Sequence, residues 1–242
     1  MNLCIDVGNT QVKLGIYDSK DSLLWFSKHP ELTIAVLETL FLKFEIKQAI
    51  LSSVRVEHAV VLEFLAANLK TVLQLSSKTN VPLQSQYQTP ETLGNDRLAA
   101  VAGANALYPK NGVLVIDAGT CITYDFVTAD ATYMGGSILP GITMRFQALH
   151  ELTAKLPLIE PTHLDSFIGI STKTSIQTGV LYGVLHELRG FKLQYEQEFG
   201  NIKVIVTGGD ASYFESQLKS EIFAQPKLVL IGLNKILNYN IQ

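Results

Sequence analysis

The chain has 242 residues, 47% of them hydrophobic, which is enough to bury the core of one large domain or of two small ones. Its 19 basic and 22 acidic residues give a net charge of −3 without a basic run, so nucleic acid is not a favoured partner. Because the sequence has no signal-like start and no apolar run long enough to span a bilayer, we expect a cytoplasmic protein with no membrane contact.

The N-terminal segment predicts a three-stranded meander. The strand-like runs LCIDV, VKLGIYD and LLWFSK are separated by GNTQ and SKDS, both rich in turn-forming residues. The first run carries one carboxylate, Asp6, close to its end and just before the glycine turn.

Helices and strands alternate after the meander. Residues 31–43 and 57–69 carry apolar residues at helical spacing on either side of the strand-like AILSSV, and TVLQL predicts a further strand. This alternation is typical of an α/β layer.

A long polar stretch, residues 76–95, separates this layer from the helix predicted over DRLAAVAGANAL. Loops of this length are more often functional than merely connective. Asp96 lies at the start of the helix, where the dipole favours an ionised carboxylate. Such a group can accept an alcohol proton during phosphoryl transfer, because the loose transition state needs the proton removed only late. A helix cap is the alternative reading of Asp96.

The second half of the sequence repeats the opening. After a predicted break at YPKNG, the runs GVLVIDAGT, CITYDFVT and TYMGGSIL follow, and Asp117 aligns with Asp6. We therefore expect two duplicated α/β domains, residues 1–110 and 111–242, that face each other across a cleft.

The C-terminal part predicts a long helix, a strand and two shorter elements. Apolar residues from Ile176 to Phe199 recur every three or four positions and form an apolar seam. The strand IKVIVTGG follows, then a short helix and a final strand–helix pair.

The repeated loop suits phosphate and Mg²⁺ chemistry. A carboxylate such as Asp6 can hold a hydrated Mg²⁺, which takes few protein ligands. Gly8 and Gly119 let backbone amides approach a phosphate, and Thr10 and Lys13 add a hydroxyl and a cation. For one copy alone a plain β-turn is an equal alternative.

The common glycine-rich nucleotide motifs are absent from the sequence, which has no G-x-x-x-x-G-K-[ST] and no G-x-G-x-x-G after a strand. The segment VIVTGGDA offers another route, because Gly208 and Gly209 would let the backbone approach a nucleotide before a helix. The same pattern is also a frequent structural turn.

Taken in order, the motifs DVGNT, Y-x-x-P-x-x-x-G-x-D-R, DAGT, GGSILPG, ALHELTAKLP and STKTSIQTG resemble those of the type III pantothenate kinases over nearly the whole chain. The resemblance implies the acetate and sugar kinase/Hsp70/actin fold, with two duplicated ribonuclease-H-like (actin-like) domains. It also implies ATP-dependent phosphorylation of the terminal hydroxyl of pantothenate, the first step of coenzyme A synthesis.

The resemblance further implies roles for single residues. Asp96 would be the catalytic base, Asp6 the Mg²⁺ ligand, and Asp117 the ligand of a monovalent cation, K⁺ or NH₄⁺. Residues of the pantothenate site would be Tyr87, Gly94, Arg97 and, from the neighbouring subunit of a homodimer, Thr172. The long helix with its apolar seam is the expected dimer face. Candidate contacts to ATP and its phosphates are Asp6, Gly8, Asn9, Thr10, Lys13, Thr120, Gly208 and Gly209.

Two departures from the family pattern concern the pocket: Asn95 and Cys121 stand where small residues are common in the family. Neither replaces a carboxylate or a glycine. Two rival functions stay open at this point: a kinase of the same fold acting on a sugar or an acetate-like acid, and a nucleotide-binding regulator or filament protein without a small acceptor.

Overall fold

The computed structural model describes residues 1–54, 58–162, 164, 166–218 and 222–241, which form eleven strands and seven α-helices. The strands are β1 Asn2–Val7, β2 Val12–Tyr17, β3 Leu23–His29, β4 Gln48–Ser53, β5 Thr71–Gln74, β6 Gln84–Ser85, β7 Gly112–Ala118, β8 Cys121–Val127, β9 Thr132–Pro140, β10 Ile202–Thr207 and β11 Phe223–Ala224. The helices are α1 Ile34–Lys43, α2 Ala59–Asn68, α3 Asn95–Leu107, α4 Ile142–Glu151, α5 Thr172–Phe199, α6 Ala211–Leu218 and α7 Leu228–Asn240.

Two sheets carry the same strand order. The first is β3-β2-β1-β4-β5, with the first three strands antiparallel and β4 and β5 parallel to β1. The second is β11-β10-β7-β8-β9-β6, in which β7, β8, β9, β10 and β11 correspond to β1 to β5. The predicted duplication and the mixed α/β class are confirmed, and β6 is an addition at one edge of the second sheet.

The observed elements follow the predicted ones in the repeated segments and depart from them elsewhere. Helix α1 begins three residues later than expected, because the Thr33 hydroxyl caps it by accepting the Val36 N–H. For the helix predicted over 57–69, Glu57 lies outside the described residues, His58 is the N-cap, and α2 covers Ala59–Asn68. The polar stretch 76–95 contains β6 and a 3-10 helix, Pro90–Thr92, and α4 was not predicted.

The apolar seam of α5 packs inside its own unit. Ile176, Val180, Val184 and Leu188 are buried in the core formed with the second sheet, and Tyr195 packs against its edge. The four buried residues of the seam are therefore not available to form a dimer face, and the homodimer itself stays a prediction. Helical spacing identifies an apolar stripe, but the stripe covers the chain's own sheet.

The chain folds into two units, each with its own hydrophobic core. The first comprises residues 1–110, 127–135 and 227–242, and the second comprises 111–126 and 136–226. In the first unit, α7 packs against α3 and β1. The domain limits 1–110 and 111–242 stay a proposal about the duplicated halves of the sequence. None of the helices in the described ranges is both long and apolar enough to cross a membrane.

Candidate active site

The end of β1 carries a buried carboxylate in a row of polar side chains. Asp6 is only 4% exposed, and its register partners are Lys13 on β2 and Ser52 on β4. Lys13 Nζ lies 3.8 Å from Asp6 Oδ2. Burial raises the pKa of the Asp6 carboxyl to about 6, while the charge on Lys13 lowers it and the charge on Asp96 raises it. A buried carboxylate of this kind gains from a nearby cation.

The β1–β2 turn follows directly. The Gly8 N–H donates to the Gln11 carbonyl at 3.1 Å and closes the turn, while Asn9 and Thr10 are exposed at its tip. Gly8, Asn9, Thr10 and Lys13, predicted as phosphate contacts, thus lie on one hairpin beside Asp6.

Asp96 lies in the first turn of α3 and does not cap the helix. The N-cap is Gly94, and Asp96 Oδ1 accepts the N–H of Arg97 at 2.9 Å. A methyl group on Gly94 would lie 2.6 Å from Asp96 Oδ1, so the glycine leaves room for the carboxylate. The charge on Asp96 is also one of the causes that raise the pKa of Asp6.

Tyr87 and Arg97 form one wall beside Asp96. Arg97 is buried, its guanidinium carbon is 5.7 Å from the centroid of the Tyr87 ring, and its Nη1 is 3.5 Å from the Tyr87 hydroxyl. Asn95 donates its side-chain amide to the Leu75 carbonyl at 3.0 Å. Asn95, which departs from the family pattern, therefore connects the start of α3 to the residue just after β5.

The second copy of the loop lies among backbone oxygens. Gly208 has a φ of 94°, and a methyl group there would lie 2.2 Å from the Ala118 carbonyl oxygen and 2.5 Å from Asp117 Oδ1. The position requires glycine for both reasons. Gly209 is exposed beside it, and Thr120, also exposed, accepts the Gly141 N–H through its carbonyl at 3.1 Å.

Thr172 is exposed at the first turn of α5. The Ser171 and Thr174 side chains form a capping box that fixes this end of the helix. Thr172 borders a groove of about 940 Å³ between α4 and α5, whose lining includes Arg145, Leu149 and Leu156.

Three residues in or next to these loops were not singled out from the sequence. Ser52 is fully buried, and its Oγ has no hydrogen-bond partner among the described residues. Asp210 donates its N–H to the Ala118 carbonyl at 2.9 Å, and burial raises the pKa of its carboxyl. Gly141 entered the sequence analysis only as the last residue of the motif GGSILPG. The sequence could have indicated Ser52 only through its position on β4, which pairs with the position of Asp6 on β1.

The donor set fits both expected cations. Asp6 is a buried carboxylate with an orphaned hydroxyl, Ser52 Oγ, in the neighbouring register position. A hydrated Mg²⁺ takes few protein ligands, so one carboxylate beside a hydroxyl is a donor set that it can use. Asp117 lies beside the carbonyl of Ala118 in a cradle that a side chain at Gly208 would fill, an oxygen-rich corner suited to a monovalent cation.

The duplicated sheets, with a carboxylate near the end of each first strand, define an actin-like α/β fold of two ribonuclease-H-like domains. A solved chain assigned as an N-acetylmannosamine kinase from Listeria monocytogenes is 13% identical with a TM-score of 0.58, and 99% of each chain is covered. A chain assigned to the Baf family of transcriptional activators from Campylobacter jejuni is 21% identical with a TM-score of 0.64, and 98% of each chain is covered. At these identities the likeness concerns the fold alone, and it confirms the predicted fold class.

The family follows from the sequence comparisons. The family model described as type III pantothenate kinase matches residues 2–193. A protein of that name from Phocaeicola vulgatus is 43% identical over 240 residues, which cover 99% of each chain. The chain belongs to the type III pantothenate kinase family. The predicted enzyme class, an ATP-dependent phosphotransferase acting on pantothenate in coenzyme A synthesis, is confirmed.

Proposed function

We propose that Asp96 accepts the proton of the pantothenate hydroxyl as this oxygen attacks the γ-phosphorus of ATP. The observation that carries the proposal is the geometry of α3: Gly94 leaves room for the carboxylate, and its charge acts on the buried Asp6. The bond from the γ-phosphorus to the bridging oxygen of ADP breaks as the bond to the pantothenate oxygen forms. Asp96 orients the hydroxyl and takes its proton late in this step.

Asp6 is the proposed Mg²⁺ ligand. When bound, the ion supplies charge neutralisation for the ATP phosphates. Lys13, which pairs with Asp6, adds a fixed cation next to the same turn. Gly8, Asn9 and Thr10 offer amides and hydroxyl or amide side chains to the phosphates at the exposed tip of the hairpin.

The second copy of the loop, which lies in the second unit, is proposed to bind ATP and a cation as the first copy does. Thr120 and the glycines at 208 and 209 are the proposed contacts to ATP, and Asp117 is the proposed ligand of K⁺ or NH₄⁺. Oxygen ligands of this kind, one carboxylate with nearby carbonyls, suit a large monovalent cation that is loosely hydrated.

The Asp117→Asn variant is expected to weaken activation by K⁺. Removing the charge should raise the K⁺ concentration for half-maximal rate by roughly tenfold or more, because one ion-pair interaction of moderate strength is lost. Titrations of KCl at constant ionic strength, with Mg²⁺ fixed, measure this. An unchanged K⁺ requirement would remove Asp117 from the cation site, and a changed Mg²⁺ requirement would assign it to the other cation.

A homodimer with a shared active site completes the proposal. Thr172 would reach the pantothenate of the partner subunit, and a second copy would cover the apolar groove between α4 and α5. Exposed apolar residues at this groove and just before α5 support an interface: Leu152, which lines the groove, is 83% exposed, and Ile170 is 93% exposed.

The Thr172→Ala variant is expected to raise the KM for pantothenate by about 3- to 10-fold, the usual worth of one hydrogen bond. Light scattering should give the same dimer mass as for the unchanged protein. Thr39→Ala is the matched control and should leave the KM unchanged, because Thr39 is an exposed threonine of α1 whose hydroxyl donates to the Ala35 carbonyl. An unaltered KM in the Thr172 variant would contradict a shared pocket.

Mass spectrometry of the reaction products tests the function as a whole. Protein incubated with Mg-ATP and an equimolar mixture of pantothenate, glucose and acetate should yield the phosphate ester of pantothenate alone. A phosphorylated sugar or acid would favour the rival kinases, and ATP turnover without any ester would favour a regulator. The proposed location is the cytoplasm, where ATP and pantothenate are both available.

A further inference from the structure

Strand β6 places Tyr87 over a second, fully buried tyrosine. Gln84 and Ser85 pair in parallel with Thr132 and Tyr133 of β9, and the Gln86 N–H donates to the Tyr133 carbonyl at 2.9 Å. This short ladder fixes the chain just before Tyr87. The two residues of β6 are exposed, so their hydrogen bonds to β9 hold this segment in register.

The rings of Tyr87 and Tyr133 are parallel. Their centroids are 6.0 Å apart with an interplanar angle of 4°, the offset arrangement that aromatic pairs prefer. Tyr133 has no exposed surface, whereas Tyr87 is half-buried. The buried ring is thus the fixed member of the pair, and it determines the plane of the other.

Gly135 on β9 lies beside the Tyr87 ring. Its φ of 93° favours glycine, and a methyl group there would be in ordinary van der Waals contact with the Tyr87 ring at 3.5 Å. The Arg97 guanidinium then lies on the Tyr87 ring, with 5.7 Å between its central carbon and the ring centroid. The order of contact is Tyr133, Tyr87, Arg97.

We propose that Tyr133 is a positioning residue for the acceptor pocket: its buried ring holds Tyr87, and Tyr87 holds the guanidinium of Arg97. This inference rests on the proposed function, in which Tyr87 and Arg97 line the pantothenate site. Tyr133 does not touch the substrate. It acts through the stack and therefore affects the acceptor and not ATP.

The test compares Tyr133→Leu with Tyr133→Phe and with Phe126→Leu. Phe126 is a buried aromatic residue of the second unit that contacts Tyr195 and Phe199, so its replacement reproduces the loss of a buried aromatic contact elsewhere. The leucine at 133 should raise the KM for pantothenate by about 3- to 10-fold, the worth of one aromatic pair, with kcat and the KM for ATP unchanged. The phenylalanine keeps the stack and should restore the KM.

A second readout does not depend on the substrate. In the Tyr133→Leu variant the Arg97 Nε–H resonance should shift, because the ring current of Tyr87 at that nucleus changes with the ring plane; Arg97→Lys assigns the signal. The Phe126→Leu variant should leave this resonance in place. If the resonance shifts but pantothenate is not phosphorylated even by the unchanged protein, the proposed function fails and the positioning role stands.

Two results would overturn the inference. An Arg97 resonance that stays in place in Tyr133→Leu would show that the stack does not fix the guanidinium. Equal rises in the KM for pantothenate and for ATP, or the same kinetic change in Phe126→Leu, would show a general loss of stability.

Discussion

Replacing Asp96 by asparagine is expected to lower kcat by about 100-fold or more while ATP still binds, because a positioned proton acceptor is lost. The amide oxygen of asparagine can still accept the Arg97 N–H that Asp96 Oδ1 accepts at 2.9 Å, so the first turn of α3 is preserved. The pantothenate hydroxyl would then keep its proton until it is lost to water. Steady-state rates with saturating pantothenate and ATP, with ATP affinity from calorimetry, measure the effect.

Glu91→Gln is the matched control for Asp96. Glu91 is an exposed carboxylate of the same polar loop, within the 3-10 helix just before α3. Its replacement removes the same charge at a short distance along the chain and should leave the rate unchanged. A near-normal rate in Asp96→Asn would remove this residue from the reaction, and an equal loss in Glu91→Gln would attribute the effect to the net charge of the loop.

The Asp6→Asn variant is expected to lower kcat/KM for Mg-ATP by about 100-fold or more, since metal-assisted charge stabilisation is worth several kcal/mol. The asparagine keeps the shape of a side chain that is 4% exposed but loses the charge opposite Lys13. Thermal unfolding offers a readout without turnover. The unchanged protein should gain stability from Mg²⁺ plus ATP over ATP alone, and the variant should lose this gain.

Asp21→Asn separates loss of the Mg²⁺ ligand from loss of stability. Asp21 pairs with Lys235 and accepts the side-chain amides of Asn234 and Asn238, which ties the β2–β3 turn to α7. This control should lower the melting temperature yet keep the additional stabilisation by Mg²⁺. A normal Mg²⁺ response in Asp6→Asn would contradict the assignment of the ligand.

The repeated meander could be predicted from the sequence because the first two strands of each copy bury most of their residues. Apolar runs such as LCIDV and LVIDA end at glycine turns, and local turn preferences decide where each strand stops. The carboxylates Asp6 and Asp117 break those runs at equivalent positions, which made the site visible as well. Here local pattern and final structure agree.

Elements that depend on distant pairing could not be predicted in the same way. Strand β6 has only two exposed polar residues, and its strand geometry comes from β9, far along the chain. Helix α4 buries only Ile142 and Phe146, too few apolar positions to give a period. The apolar seam correctly predicted the helix α5, but helical spacing alone cannot identify the surface that packs against the seam.

The residues of the candidate site also differ in whether the sequence could predict them. The residue types of Asp96, Tyr87 and Arg97 indicated chemistry, yet cap and base could not be separated for Asp96 until Gly94 was found at the N-cap. Ser52 and Tyr133 carry no motif. Their importance comes from register and from stacking, which exist only after the strands have paired.

ADP release by the purified protein with Mg-ATP, with and without pantothenate, in potassium and in sodium buffer, tests the central claim most directly. We predict release that depends on pantothenate and is faster in potassium, in agreement with an acceptor site beside Asp96 and a cation at Asp117. Release that is indifferent to pantothenate would contradict the proposed acceptor and leave a nucleotide-hydrolysing protein of the same fold.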